Sequence, residues 1–147
     1  MRAKTRSVPS GIYRHFKGGL YLVERTITDA SSGPRRPKAE LPRRVVYWAL
    51  YDDFEPWGRE LSDFRSSSYR RLDESSNERL VKRFKLVCRM DQVIPPAETL
   101  EIAKNLKTFL HREKREVNVA RAIITDQHIK PGAILVLLKQ LKKELGQ

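Results

Sequence analysis

The chain has 147 residues, a net charge of +12 and one cysteine, Cys88. A single cysteine excludes an internal disulfide and a four-cysteine zinc site. The longest wholly apolar run, residues 133–138, is far shorter than the ~20 residues that cross a bilayer. No apolar segment follows the basic N-terminus, so we expect a cytoplasmic protein without a secretory signal. The positive charge favours phosphate backbones, anionic membrane surfaces or acidic protein patches as partners.

The composition divides the chain into two parts. Every aromatic residue except Phe109 precedes Cys88, whereas the remainder is rich in Leu, Ile and Lys. Pro95-Pro96 lies close to this change, and proline is excluded from the interior of helices and central strands. We therefore predict a basic tail over residues 1–10, a β-rich domain over residues 11–89 and a helical region over residues 90–147.

The first part has the pattern of a small antiparallel barrel. Gly18 and Gly19 can adopt positive φ, which fits a tight hairpin turn between two strands. Turn-forming residues predict a loop over residues 29–42, and a Ser/Arg-rich run predicts another over residues 65–77. Short strands with turns between them are typical of such barrels. The predicted strands are Gly11–Phe16, Leu20–Thr28, Arg43–Asp52, Trp57–Leu61 and Leu80–Val87.

The second part predicts three helices. Residues 98–113 carry an apolar stripe at helical spacing. Residues 117–124 fit a short helix capped by Asn118, although their β-branched side chains also suit a strand. Pro131-Gly132 begins a last helix over residues 133–145, which Gly146 ends. The stripes are Leu100, Ala103, Leu106 and Leu110, beside Ile102 and Phe109, in the first helix, and Ile134, Leu137, Leu138, Leu141 and Leu145 in the last.

Three motifs follow one another between residues 11 and 64. They are G-x-Y-R-H-F-K-G from Gly11, V-V-Y-x-A-L-Y from Val45 and W-x-R-x-L-x-x-F from Trp57. In these motifs the chain resembles a small bacterial family catalogued as domain of unknown function 1653, and the strand that ends near residue 87 extends the likeness. The resemblance implies a small SH3-like β-barrel and no established activity. This chain departs from the family pattern at Trp48, where a polar residue is usual, and at Glu60, where proline is usual.

No group of residues has the spacing of a catalytic or metal site. The three histidines stand apart from one another and from other ligands, and positive neighbours are expected to lower the pKa of His15. Asp52, Asp53 and Glu55 fit a solvated turn better than a cation-binding loop. Cys88 has no histidine partner and is expected to be a buried thiol. We therefore expect no enzyme, no metal and no cofactor.

Basic and aromatic residues are the remaining signal. Guanidinium groups suit bidentate phosphate contact and stacking on bases. Trp48 has two interpretations: it is exposed and stacks a base, or it packs against the C-terminal helices at the junction of the two parts. Further cations along the last strand are Arg79, Arg83, Lys85 and Arg89. The candidate nucleic-acid-binding residues are Arg35, Arg36, Lys38, Arg43, Arg44, Trp48, Arg59, Arg65, Arg70, Arg71 and Lys82.

Three functions fit these features. The first is non-catalytic binding of nucleic acid, either RNA or DNA, with an affinity that falls steeply as salt rises. The second is a protein-interaction adaptor that uses the barrel groove and the amphipathic last helix, with self-association through residues 97–145. The third is a site for a small anion or nucleotide near Arg59. We favour the first and expect no membrane among the partners.

Overall fold

The computed structural model describes residues 7–29, 41–71, 78–126 and 128–146. Outside these ranges lie residues 30–40 of the loop predicted over residues 29–42, most of the basic tail, and residues 72–77 of the second predicted loop. Within them the elements are β1 (Gly11–His15), β2 (Leu20–Thr28), β3 (Arg43–Ala49), β4 (Pro56–Glu60), α1 (Leu61–Phe64), β5 (Ser67–Arg71), β6 (Glu78–Lys82), β7 (Phe84–Arg89), α2 (Pro96–Arg112), α3 (Asn118–Thr125) and α4 (Pro131–Glu144).

Five strands form one antiparallel sheet in the order β4-β3-β2-β1-β7, and β5 pairs with β6 in a separate hairpin. With the helices that follow, this confirms the predicted α+β class. The turn between β1 and β2 forms as predicted, with Gly18 at a φ of 112°. Among the described strands the outer ones, β4 and β7, do not pair with each other, so the sheet is open and the predicted closed barrel is not confirmed.

The chain between β4 and β7 departs from the predicted elements. Leu61 and Phe64 are buried in the single-turn helix α1, which was not predicted. Strand β5 was predicted as part of a loop, because its Ser/Arg composition is typical of one. It is a strand because it pairs with β6 along its whole length, from Ser67 opposite Lys82 to Arg71 opposite Glu78. Pairing therefore overrides local composition here.

The last predicted strand, Leu80–Val87, is two strands separated by Arg83. The N–H of Arg83 donates to the Ser66 carbonyl at 3.0 Å, and its carbonyl accepts from the N–H of Phe16 at 2.9 Å. These bonds connect the β5–β6 hairpin to the end of β1. The residues before Arg83 consequently pair with β5, and those after it pair with β1.

Strand β3 is covered on both faces. Val45 and Tyr47 belong to one buried cluster and Trp48 and Leu50 to another, which is the alternation that the sequence predicts. We call the first cluster the aromatic core and the second the helix-side core. The helix-side core consists of Ile12, Leu20, Leu22, Trp48, Leu50, Phe54, Cys88, Ile94, Ile102, Ala103, Leu106, Phe109, Leu110, Ala120, Ile123, Ile134, Leu138 and Leu141. The aromatic core consists of Tyr13, Val23, Val45, Tyr47, Leu61, Phe64 and Phe84.

The C-terminal helices cover the second of these faces. Leu106 of α2 and Leu138 of α4 share the helix-side core with Ile12 and Leu22 of the sheet. Burying a leucine or isoleucine side chain stabilises the fold by about 1.5–3 kcal/mol, so these contacts hold the helices on the sheet. Among the described helices, none has both the length and the apolar character needed to cross a membrane.

The predicted helices are confirmed with two corrections in detail. Leu100 was assigned to the apolar stripe of α2, but it is 45% exposed, because the buried stripe is centred on Ile102 and Leu106. Asn118 was predicted to cap α3, but the cap position is Val117 and the Asn118 amide bonds the Glu116 carboxylate instead. Helix α4 starts at Pro131 as predicted.

Glu24 links the sheet to α4. It is the unmatched residue of a bulge in β2, opposite β3. One carboxylate oxygen accepts a hydrogen bond from Trp48 Nε1 at 3.0 Å, and the other lies 3.1 Å from Lys139 Nζ of α4. Burial alone would raise the pKa of Glu24, but the hydrogen bonds from Trp48 and Lys139 hold it below its usual value. The carboxylate is therefore charged and satisfied on both sides.

Replacing Glu24 should weaken the attachment of the helices. We expect Glu24→Ala to lower the free energy of unfolding by about 1–3 kcal/mol, because the indole N–H of Trp48 would be left without its acceptor. Urea denaturation measures this change. Glu24→Gln keeps an acceptor for Trp48 and should lose less. If the two variants were equally stable, the Trp48 bond would not be the stabilising contact.

Candidate functional site

Aromatic rings form the centre of the sheet face that the helices leave uncovered. Phe64 and Phe84 stack with their centroids 4.2 Å apart. Tyr13 and Tyr47 meet Phe64 edge-on at 5.3 and 5.8 Å. All four rings are buried. This packed cluster separates two concave surfaces, one on the side of β7 and one on the side of the β3–β4 turn.

The first surface, here called the β7 groove, has a volume of about 770 Å³. Tyr13, Phe64 and Phe84 form its apolar floor. A recess of about 390 Å³ adjoins it and shares Lys82 and Lys85 with it. The groove is lined by Ser7, Val8, Pro9, Tyr13, Phe64, Arg65, Lys82, Phe84, Lys85, Leu86 and Arg89, and the recess by Arg14, His15, Phe16, Lys17, Gly18, Val81, Lys82 and Lys85.

The charged side chains that line the β7 groove and its recess are all positive: Arg14, Lys17, Arg65, Lys82, Lys85 and Arg89. Arg14 pairs with Glu101 of α2, with Nη2 and Oε1 3.0 Å apart. Arg65 donates to the Ser7 carbonyl at 2.6 Å. The side chains of Lys82, Lys85 and Arg89 are exposed. The arrangement can hold a row of negative groups above an apolar floor.

The second surface, here called the aromatic cleft, has a volume of about 340 Å³. Tyr21 meets Tyr47 and Tyr51 edge-on at 5.3 and 5.5 Å, and its hydroxyl hydrogen-bonds that of Tyr51. Burial, and then this bond, raises the pKa of Tyr21. Trp57 is 55% exposed and lies directly opposite Tyr47 in the β3–β4 ladder. The cleft is lined by Tyr21, Tyr47, Ala49, Tyr51, Asp52, Asp53, Phe54, Glu55, Trp57 and Arg59.

The turn that borders the aromatic cleft is held in an unusual conformation. Asp52 and Phe54 have φ values of 51° and 50°. These lie in the left-handed region, which residues other than glycine, Asn and Asp rarely adopt. The Phe54 ring is buried and lies 5.5 Å from the ring of Phe109 in α2. Arg112 of the same helix donates to the Asp52 carbonyl at 3.1 Å. The helices therefore fix the position of this turn.

The structure distributes the predicted binding residues over both surfaces. Arg65 and Lys82 line the β7 groove, whereas Arg44 and Arg59 line a recess of about 500 Å³ beside the aromatic cleft. Arg43 lies elsewhere and donates to Thr28 Oγ1 at 2.5 Å. Outside the described part of the chain lie Arg35, Arg36 and Lys38 and the side chains of Arg70 and Arg71.

Trp48 requires a correction as a binding residue. Its side chain is only 6% exposed and belongs to the helix-side core. The interpretation in which an exposed Trp48 stacks a base is therefore wrong, and the alternative, that it packs with the C-terminal helices, is confirmed. The helices cover this position, which accounts for an apolar ring there.

Sequence reasoning did not select Trp57, Lys85 or Arg89 as site residues. Lys85 and Arg89 were recognised as cations of the last strand, but their place beside Arg65 depends on how the chain folds back to β1. The motif placed Trp57 on a strand. Its pairing with Tyr47 could have identified it, since residues directly opposite in a ladder share one face of the sheet.

His15 and Cys88 do not have the environment of reactive groups. Burial, followed by the charges of Arg59, Arg83 and Lys17, lowers the pKa of His15, which agrees with the expected direction. Its Nδ1 accepts from the Lys17 N–H at 3.1 Å. Cys88 is buried, and burial raises the pKa of its thiol. Within the described ranges no three potential ligands come together as a metal site would require.

A comparison with protein-family models matches residues 11–86 to the family described as "Protein of unknown function (DUF1653)". The match contains β1 to β6 and the first part of β7, and thus the floors of both surfaces. Helices α2, α3 and α4 follow it. Comparisons with curated proteins and with solved structures find no match.

The lowered pKa of His15 predicts how stability depends on pH. Because the folded protein holds this pKa below its ordinary value of 6.5, the unfolded chain binds more protons as the pH falls below 6.5. The free energy of unfolding should therefore decrease from pH 6.5 downward. In His15→Gln this decrease should be smaller, because the contribution of His15 is absent. Urea denaturation at several pH values measures it. A pKa of 6.5 or above for His15 in an NMR titration would contradict the prediction.

Proposed function

The chain belongs to the DUF1653 family, whose function is unknown, and we propose that it binds nucleic acid through the β7 groove. The observation that carries the proposal is the set of cations gathered along the groove and its recess, without a carboxylate among the lining side chains. Lysine and arginine beside a phosphate backbone release its counterions, which is the main source of non-specific affinity for nucleic acid.

The rings beneath these cations limit the mode of binding. Tyr13 and Phe84 are 4% and 6% exposed, so they form a floor and do not present faces on which bases could stack. Trp48 is buried on the other side of the sheet. The proposed binding therefore depends on phosphate contacts from Lys82, Lys85 and Arg89, and we expect little preference for base sequence.

The two other functions find less support. The apolar stripe of α4 was the surface expected to bind a protein partner or a second copy, but Ile134, Leu138 and Leu141 are buried in the helix-side core. A small anion near Arg59 would be repelled by the carboxylates of the β3–β4 turn, Asp52, Asp53 and Glu55, which line the same cleft. Arg59 is also engaged already, since it donates to Asp63 at 2.5 Å. An absence of catalysis stays a prediction.

We also propose that the sheet is an opened SH3-like barrel. Its first four strands follow one another as a meander, and β7 returns to pair with β1 on the other edge. A one-turn helix, α1, follows the fourth strand. Along the chain, the β5–β6 hairpin lies between this helix and β7. This order supports the family resemblance, and fold alone assigns no function.

Charge reversal in the β7 groove tests the proposed function. Short labelled RNA and DNA strands are titrated with the full chain at about 50 and about 200 mM salt. We expect the wild-type affinity to fall steeply between them. In Lys82→Glu/Lys85→Glu the slope of log affinity against log salt should be smaller by about two, because two phosphate contacts are lost.

A matched control changes the net charge by the same amount as the groove variant does. Lys107→Glu/Arg121→Glu reverses two exposed cations on α2 and α3, which pack on the other face of the sheet. This variant should bind nearly as the wild type does. If both double variants weakened binding equally, the net charge and not the groove would be responsible. If no strand bound at low salt, the proposed function would be wrong.

A further inference from the structure

We propose that the aromatic cleft binds a trimethylammonium group. The ligand class is an alkylated cation, either on a small molecule of the choline type or on a trimethylated lysine side chain. The proposal does not depend on nucleic-acid binding, because the cleft and the β7 groove have no lining residue in common.

The rings of the cleft stand at steep angles to one another. Tyr21 is inclined by 68° to Tyr47 and by 82° to Tyr51. Tyr47 is 5% exposed and forms the floor, whereas Tyr21 and Tyr51 are partly exposed and form adjacent walls above it. Trp57, opposite Tyr47, supplies a further wall at the rim with more than half of its surface exposed. Such walls attract a cation through the negative faces of the rings.

Carboxylates are concentrated at this cleft in a chain whose net charge is strongly positive. Three of them, Asp52, Asp53 and Glu55, line it. Arg112 pairs with Asp53, while Asp52 and Glu55 form no ion pair within the described residues. Arg59, the cation among the residues that line the cleft, pairs with Asp63. Lys142 of α4 also reaches this turn, at the Asp53 carbonyl, and offsets one of the two remaining carboxylates. One negative charge is left at the mouth of the cleft and favours a cation.

The acidic side of the cleft is formed before any ligand arrives. Lys142 of α4 donates to the Asp53 carbonyl at 2.7 Å, and Asn105 of α2 donates to the Leu50 carbonyl at 3.1 Å. Together with the buried ring of Phe54, these bonds hold the left-handed backbone of the turn. Backbone kept in a rarely populated conformation is concentrated at binding sites, and a site formed in advance loses less entropy when it binds.

The size and polarity of the cleft select the alkylated cation. A volume of about 340 Å³ lies near the lower end of the range for small-molecule sites, ~300–1,000 Å³. A primary ammonium is compact and strongly hydrated and needs acceptors for three N–H groups. A trimethylammonium group has no N–H donor and presents methyl groups to the rings. Aromatic walls with carboxylates at the rim satisfy this group better than they satisfy a primary ammonium.

The test compares ligands that differ in a single property. Choline and its neutral isostere 3,3-dimethyl-1-butanol have the same shape, and trimethyl-lysine and lysine differ only in methylation. Binding to the full chain is followed by the ligand protons next to the head group, which aromatic ring currents move upfield: the N-methyl protons of choline and trimethyl-lysine, the tert-butyl protons of the isostere and the ε-methylene protons of lysine. We expect choline to bind on the order of ten times more tightly than the neutral isostere. Tighter binding of trimethyl-lysine than of choline would identify the side chain as the source, and the reverse order the small molecule.

Variants locate the binding in the cleft. Trp57 is exposed on the outer strand β4, so Trp57→Ala should fold and should weaken choline binding by about three- to thirty-fold, whereas Trp57→Phe should retain most of it. Asp52→Asn removes one charge and keeps a residue that tolerates positive φ, and Asp91→Asn is the matched control at an exposed turn. Asp52→Asn should weaken binding and Asp91→Asn should not. Equal affinity for choline and its isostere, no upfield shift, or full binding by Trp57→Ala would overturn the proposal.

Discussion

The structure depends on the burial of β3 on both of its faces. An open sheet in water leaves one face uncovered, and here α2 and α4 cover the face that carries Trp48 and Leu50. Glu24 makes this contact specific, because its two oxygens satisfy the Trp48 indole and the Lys139 ammonium at once. A buried indole N–H without an acceptor would destabilise the fold. The bulge in β2 places the carboxylate at the point where both partners reach it.

The same helices also shape the opposite face. They reach around the end of β3 and hold the β3–β4 turn through Phe54 and through hydrogen bonds to its carbonyls. The turn lies within the residues that match the family model, whereas the groups that fix it lie in α2 and α4, after the match ends at residue 86. The geometry of the acidic turn in this chain is therefore a product of both parts.

Much of the fold could be predicted where a local pattern has a direct physical meaning. Alternation along β3 correctly assigned Tyr47 and Trp48 to opposite faces, and Pro131 correctly marked the start of α4. Strand β5 could not be predicted in this way, because its polar residues become a strand only through pairing with β6. The break at Arg83 likewise depends on bonds to Ser66 and Phe16, which are distant in the sequence.

The candidate site was harder to predict, because it is defined by which elements become neighbours. The basic clusters in the sequence identified Arg65 and Lys82, but they could not show that Arg44 and Arg59 lie on a different surface. Trp48 and Trp57 were equally visible in the sequence, and burial reverses the importance that the sequence gave them. The register between β3 and β4 decides this, since it alone places Trp57 beside Tyr47.

The two surfaces have opposite charge although they share the aromatic core. Arg59 lies over the Phe84 ring at 5.5 Å, and Phe84 is also part of the floor of the β7 groove. Long-range attraction of a polyanion follows from the net charge of the whole chain, whereas the occupant of the cleft is selected by groups in contact with it, because charges in salt solution act over only ~8–10 Å. In the proposed function a phosphate chain therefore lies along Lys82, Lys85 and Arg89, away from the carboxylates of Asp52 and Glu55. The two proposals are compatible for this reason: the carboxylates of the turn favour a cation in the aromatic cleft, while the cations of the β7 groove favour an anion.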